Sequence, residues 1–375
     1  MSLSTANVCP AILTSLSDNL INNPANVQLM GGTLAALNDP SNLRTGQIIK
    51  QANDNGTGHS KEVRVTFKQR QLASDATDTK SCEAGAQMNY IEETFQVNNY
   101  RGVSFTLSEA QLRTYCEAYS ELVSLTGSTD PNQIVQRANA IGAAGGALSV
   151  VREMFVDFQL SANALVQAMN QDLLASISGA AGNWYGGATN PTYVVENTDG
   201  SIYPLGLFQM KQNYMNTGFS GSPIIIGGAG ALQRVWMNDS RYFGQGANGI
   251  NFATVRDNTG LAEYYFDVNA AGALTNEDSA IVFAPGSLVY TPFLQYVGSY
   301  GQIGVMNRFT MPIPGLPQVK CDVRILPDEC NETYAVWMEA YFDVFTAPTT
   351  LFPAGDANEG VNGIFTAQFE TVVAP

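Results

Sequence analysis

The sequence predicts an α+β protein, on three observations. A stretch of 32 residues, Ala147–Ser178, holds no proline and no internal glycine and carries apolar residues in steps of three and four. Two pairs of strictly alternating segments, one near 61–97 and one near 319–344, have the period of β-hairpins. Between the long stretch and the second pair, short apolar runs are punctuated by Gly, Pro and Asn.

The first 45 residues read as an arm. Apolar residues are mixed with Asn and Ser, and Pro10, Pro24 and Pro40 interrupt any period. Such a segment either gains order by lying on something else or is a frayed terminus.

The first hairpin follows. Val63, Val65 and Phe67 point to one side, and Arg64, Thr66 and Lys68 to the other. Its expected partner is Tyr90–Val97, with Ile91, Phe95 and Val97 on one face and Glu92 and Thr94 on the other. A polar stretch between them forms a wide tip. Over 61–80 the chain is net basic, with Lys61, Arg64, Lys68, Arg70 and Lys80 against Glu62, Asp75 and Asp78. The whole chain carries −15, so this is a basic projection on an acidic body. Head-to-tail association between copies would use such an asymmetry. Val63, Arg64, Val65, Phe67, Lys68 and Arg70 are therefore the candidate contact residues. Arg64 and Lys68 have a rival role, pairing with Glu92 or Glu93 inside the hairpin.

A helix is expected over Thr106–Leu125. Thr106 and Glu109 make a capping box, Leu112, Tyr115, Cys116, Tyr119, Leu122 and Val123 form its buried face, and Gly127 ends it. Asp130 and Pro131 open a short second helix. Then comes the long one. Leu148, Val151, Phe155, Phe158, Ala162, Leu165, Met169, Leu173 and Ile177 line a single face. At 1.5 Å per residue it would run about 48 Å, roughly three times the usual helix.

From about 183 to 315 the expected strands are Tyr193–Val195, Pro223–Ile226, Glu263–Val268, Ala280–Phe283 and Leu288–Tyr290, with a helix starting near Gly228. In the second hairpin, Val319, Cys321, Val323 and Ile325 alternate with Lys320, Asp322 and Arg324, Pro327–Glu332 turns, and Val336–Val344 returns. It should pack against the long helix. The tail adds a strand at Gly363–Val373.

Composition narrows the function. Charged residues are only 14% of the 375, which suits extensive contacts better than a solvated monomer. A net charge of −15 disfavours nucleic acid as a general ligand. No apolar run is long enough for a membrane span, and the first basic residue, Arg44, comes too late for a signal peptide. Cys9, Cys82, Cys116, Cys321 and Cys330 are odd in number and lack a CxxC pair, which favours reduced thiols.

The chemistry-bearing patterns are poor. His59 is the single histidine, too few for a histidine-based acid–base or zinc site. Gly227–Gly230 lacks the dinucleotide spacing, and Gly218–Gly221 misses the nucleophile elbow. The acidic pairs Glu92–Glu93, Glu277–Asp278 and Asp328–Glu329 are adjacent, so on a strand they face opposite sides. No catalytic residue, cofactor or metal ligand is expected.

The order of elements resembles the major capsid proteins of tailed bacteriophages, the Johnson fold first seen in a Hong Kong phage. The resemblance lies in layout, since that family has no short diagnostic motif. It implies an N-terminal arm (1–45), an extended hairpin or E-loop (46–104), a peripheral domain with the spine helix (105–182), an axial domain (183–315), and a return to the peripheral domain with a C-terminal tail (316–375). The helix pair at 106–141 departs from that layout. The resemblance further implies a non-enzymatic subunit that self-assembles, as pentamers and hexamers, into an icosahedral or prolate shell around phage double-stranded DNA without binding it specifically. Its place is the virion, after assembly in the host bacterial cytoplasm. Scaffolding, portal and decoration proteins are the further partners; the short N-terminal segment leaves room only for a separate scaffolding protein, or none. Two alternatives stand beside it: another assembly subunit, such as a tail-tube or surface-layer protein, and an α/β enzyme.

Overall fold

The structure is a computed structural model. It describes residues 32–39, 48–51, 62–69, 90–127, 145–182, 184, 191–196, 205–219, 221–232, 234, 263–270, 274, 278–294, 301–303, 306–313, 316–328 and 331–371. Among these, the helices of seven residues or more are α1 (Gly32–Asn38), α2 (Glu109–Thr126), α3 (Gly145–Gly179) and α4 (Leu205–Asn216), and residues 229–232 make a helical turn where a helix was expected near Gly228. The fold is α+β, with three sheets. Contacts divide the chain into two units. One holds Asn98–Met169 and Pro292–Phe342; the other holds Gly32–Val97, Asn170–Thr291 and Asp343–Pro375.

In the first unit, β10 (Gly301–Ile303), β11 (Met306–Ile313), β12 (Leu316–Asp328), β13 (Thr333–Thr346) and β4 (Asn99–Ser108) lie side by side in that order. The second hairpin forms as its alternation requires, with Asp322 opposite Glu339 and Asp328 opposite Thr333. Strand β4 was not expected. It pairs antiparallel with β13 from Thr333↔Ser108 to Phe342↔Asn99. Its own alternation, Val103, Phe105, Leu107, is short and runs straight into the helix.

That strand corrects the start of α2. Thr106 is a ladder residue opposite Ala335, not a cap. The box is made two residues later. Ser108 Oγ accepts the Gln111 amide at 3.2 Å, and Gln111 Oε1 accepts the Ser108 amide at 3.0 Å. The Glu332 carbonyl, from the hairpin turn, accepts the amide of Glu109 at 2.9 Å. Sheet pairing satisfies the backbone through Ser108, so the helix cannot begin earlier. Gly127, at φ 61°, ends it in the left-handed conformation that glycine adopts without penalty. The short helix expected at 130–131 lies outside the described residues.

Helix α3 is one unbroken element of 35 residues. Its side chains are described from Val156 onward. Phe158, Ala162, Leu165, Met169, Leu173 and Ile177 of the expected stripe are buried, joined by Val166 and Leu174. Phe158 meets Phe105 of β4 edge to face, with ring centroids 5.0 Å apart. The helix thereby packs on the sheet that contains the second hairpin.

In the second unit, β5 (Thr192–Glu196), β14 (Ile364–Thr371), β8 (Ser279–Phe283), β6 (Ile224–Gly227) and β7 (Glu263–Phe266) form a five-stranded sheet in that order. The tail strand β14 therefore joins this sheet and not the hairpin's. It runs parallel to β5 and antiparallel to β8. Trp184, Tyr193, Leu207, Met210, Tyr214, Phe365 and Phe369 belong to one buried cluster. Strand β9 (Leu288–Phe293), within which the boundary between the units falls, is the sixth strand of the sheet of β10 to β13 and β4, paired with β13. The loop at 353–363 closes two helix ends: Asn362 donates to the Ala180 carbonyl at 2.8 Å, and Asn358 to the Asn216 carbonyl at 3.2 Å.

Helix α1 docks in the same unit. Fully buried Asp267 accepts the Thr33 amide at 3.0 Å, the Thr33 hydroxyl at 2.6 Å and the Asn269 amide at 2.9 Å. Gly32 lies so near the strand that an added Cβ would fall 1.8 Å from the Phe266 carbonyl oxygen. Only glycine permits that approach.

Candidate assembly surface

The basic hairpin is β2 (Glu62–Lys68) with β3 (Tyr90–Gln96), paired antiparallel from Glu62↔Gln96 to Lys68↔Tyr90. A third strand, β1 (Ile48–Gln51), adds to the other side of β2. The two faces of β2 differ sharply. Val63, Val65 and Phe67 are 0, 0 and 3% exposed, so this chain already covers them. Phe95, on the facing strand, stacks on Phe345 with centroids 4.3 Å apart. Gln69 donates to the Thr350 carbonyl at 3.1 Å. The expectation that Val63, Val65 and Phe67 offer apolar contact to another copy is thus corrected: they are buried within their own chain, and Phe345 and Thr350 meet the hairpin at the two ends of its strands. The reason is long-range packing that no local pattern carries.

Arg64 stands on the open face. Its guanidinium lies 3.4 Å from Glu92 Oε1, and both side chains are half exposed. Arg64 faces Thr94 and Glu92 faces Thr66, so the pair is a diagonal one across the hairpin. An exposed pair of this kind contributes about 0–1 kcal/mol and leaves the charges open to other partners. Lys68 closes the strand opposite Tyr90. Arg70 lies outside the described residues, as do the hairpin tip, His59 and residues 1–31 of the arm expected over 1–45; residues 32–38 of that arm are the docked helix α1.

Charge is handled differently inside the six-stranded sheet. Asp322 and Glu339 are 2 and 4% exposed on neighbouring strands. Glu339 takes an ion pair from Arg324, whose guanidinium lies 5.6 Å from the Trp337 ring centre. Asp322 accepts the Thr310 hydroxyl at 2.6 Å. These are partnered charges within one sheet. On the same strand Cys321 is fully buried, and desolvation holds its thiol well above the usual range. Such a thiol is inert, not nucleophilic. Tyr193 is shifted up by burial as well, although Asn213 donates to its hydroxyl oxygen at 3.4 Å. Among the described residues no group of three or more His, Cys, Asp or Glu gathers to hold a metal, and no helix is long and apolar enough to cross a membrane.

The outward faces of two helices were missed by the sequence reading. On α3, Val156 and Leu160 are 50 and 62% exposed, and Ala164, Gln167, Gln171 and Ala175 continue outward without a charge. On α4, Phe208 and Met215 are 40 and 61% exposed. The signal was present as residues four apart, off the buried stripe. It was hidden because apolar residues in a helix are first counted toward its core.

No family model matches the chain, and no curated protein sequence does. Solved structures that resemble it include "Cyanophage Pam1 capsid asymmetric unit", at 10% identity over 90% of this chain and 93% of that one, with a TM-score of 0.42. A second is "Crystal structure of virus-like particle from Pyrococcus furiosus", at 10% identity over 95% and 97%, with a TM-score of 0.41. A third is "Mycobacterium phage Che8", at 9% identity over 87% and 93%, with a TM-score of 0.36. With TM-scores below 0.5, none of these likenesses assigns a role to any residue of this chain.

Proposed function

We propose that this protein is the structural subunit of a bacteriophage head, assembling with copies of itself into a closed icosahedral or prolate shell around double-stranded DNA. The observation that carries it is the layout of long elements. A basic hairpin meets its own chain through Phe95 on Phe345, a 35-residue helix packs on the sheet of a second long hairpin, and a five-stranded sheet takes in the tail strand. Extended elements of this kind create large surfaces between subunits. The uncharged outward face of α3, with Val156 and Leu160, suits contact better than solvent.

In this reading β1 to β3 belong to the extended hairpin, Asn98–Met169 with Pro292–Phe342 form the peripheral part, and Asn170–Thr291 the axial part; the tail strand β14 joins the sheet of the axial part, where the expected block 316–375 would have returned it to the peripheral one. Arg64 on the open face of the hairpin, together with the charges of Lys68 and Arg70, sets register against the acidic body of a neighbour. Pentamers and hexamers close through heterologous contacts. Scaffolding, portal and decoration proteins are its further partners, and the subunit does no catalysis. The net charge of −15 keeps the wall from gripping the packaged DNA. Assembly takes place in the host cytoplasm, and the virion is its final location.

The test is direct. The purified chain, alone and co-expressed with a scaffolding protein, is sedimented and imaged over a range of concentrations. Megadalton hollow particles are expected. A protein that stays monomeric under every condition would overturn the proposal.

A further inference from the structure

We infer that the outward stripe of α4, Phe208, Gln212 and Met215, is a contact between copies of this chain within the shell; the inference rests on the shell function proposed above. The helix is held rigidly from its other side. Leu207, Met210 and Tyr214 point into the aromatic core at 0–2% exposure. Gly206 lies against β5, where an added Cβ would come within 2.0 Å of the Val194 carbonyl oxygen. Asn358 caps the last turn, and Gly218 at φ 78° turns the chain away. The outward stripe is therefore presented on a fixed support.

Spacing and charge say what covers it. Positions 208, 212 and 215 stand four and three apart, so they lie along one line of the helix surface. The twelve residues LGLFQMKQNYMN contain no acid and one base, Lys211. The rest of the chain is acidic enough to reach −15 overall. Two such bodies repel each other unless they meet where acids are absent. A second copy, itself acidic, matches a neutral helix with one lysine. Nucleic acid or an anionic membrane would need a basic cluster, which α4 lacks. Two exposed apolar side chains fall far short of the roughly 1,200–2,000 Å² of a stable pair. The stripe therefore acts only with other contacts, inside a ring.

The experiment has two arms. Met215→Glu, with Met215→Leu as control, is compared with the unsubstituted chain for melting temperature, circular dichroism and yield of particles. The expected result is an unchanged fold and at least a tenfold loss of particles for Met215→Glu, with Met215→Leu normal. In the second arm a benzophenone amino acid replaces Gln212, and assembled particles are irradiated. Adducts at twice the chain mass are expected, linking 212 to a second copy. Normal particles from Met215→Glu, or adducts to another protein or none at 212, overturn the inference while leaving the shell standing. If Met215→Glu fails to fold, the cross-link decides. A chain that forms no particles in any form overturns both.

Discussion

Phe158 sits edge-on to Phe105 at 2% exposure, a contact between the long helix and its sheet. Replacing it with Ala removes the ring and leaves a cavity. We expect a loss of about 3–5 kcal/mol, read from urea unfolding midpoints. Cys321 gives a pH signature. Its folded thiol titrates far above its unfolded value, so the unfolded chain loses that proton first as pH rises. The stability is fully present below the ordinary thiol value of 9.0 and declines above it. Unfolding should become easier through pH 9–10, and Cys321→Ala should reduce that slope. Melting curves at fixed ionic strength check it. At this scale the alternation of Val63, Val65 and Phe67 was legible, because one face of a strand must be apolar. What covers that side of the hairpin was not: Phe345, which stacks on Phe95, is 250 positions along the chain.

Elements were legible wherever a local period ran long enough. The long helix and both hairpins came through because each repeats its pattern over two or more turns or pairs. Helix α4 did not. Leu207, Met210 and Tyr214 supply three inward residues, while Phe208 and Met215 blur the stripe from outside. Strand β4 was lost for a related reason, since its ladder passes into α2 with no turn residue between. The cap moved with it. Ser108→Ala should cost about 1 kcal/mol by removing the Oγ acceptor for Gln111. Thr106→Ala, which sits at the expected cap, should cost only a strand residue's propensity. Parallel thermal denaturation of the two variants separates a cap at Ser108 from one at Thr106.

The whole chain is interleaved in a way that consecutive blocks do not describe. Segments 32–97, 170–291 and 343–371 gather in one unit, although two stretches of the other unit lie between them. Sheet partners such as β14 with β8, or β4 with β13, are set by shape complementarity across long loops, and no periodicity encodes them. Charge, by contrast, is readable directly. Bodies of −15 repel, so assembly at low salt is opposed over a Debye length of about 30 Å at 0.01 M and about 10 Å at 0.1 M. The yield of particles should therefore rise between those two concentrations. Light scattering during dialysis checks it, and an opposite trend would mean that basic–acidic pairing, not repulsion, governs association.

The position of β14 between β5 and β8 has a consequence in time. Both neighbours leave the ribosome well before residues 364–371 are made. At roughly 5–20 residues per second, the gap from β8 to β14 lasts on the order of ten seconds. During that interval β5 and β8 have no strand between them, and their facing edges are open to other nascent chains on the same message. The sheet closes only when its latest-made strand slots into the interior. Synthesis itself thus acts as a clock: that unit cannot be complete, and so cannot enter the proposed shell, before translation has passed residue 371.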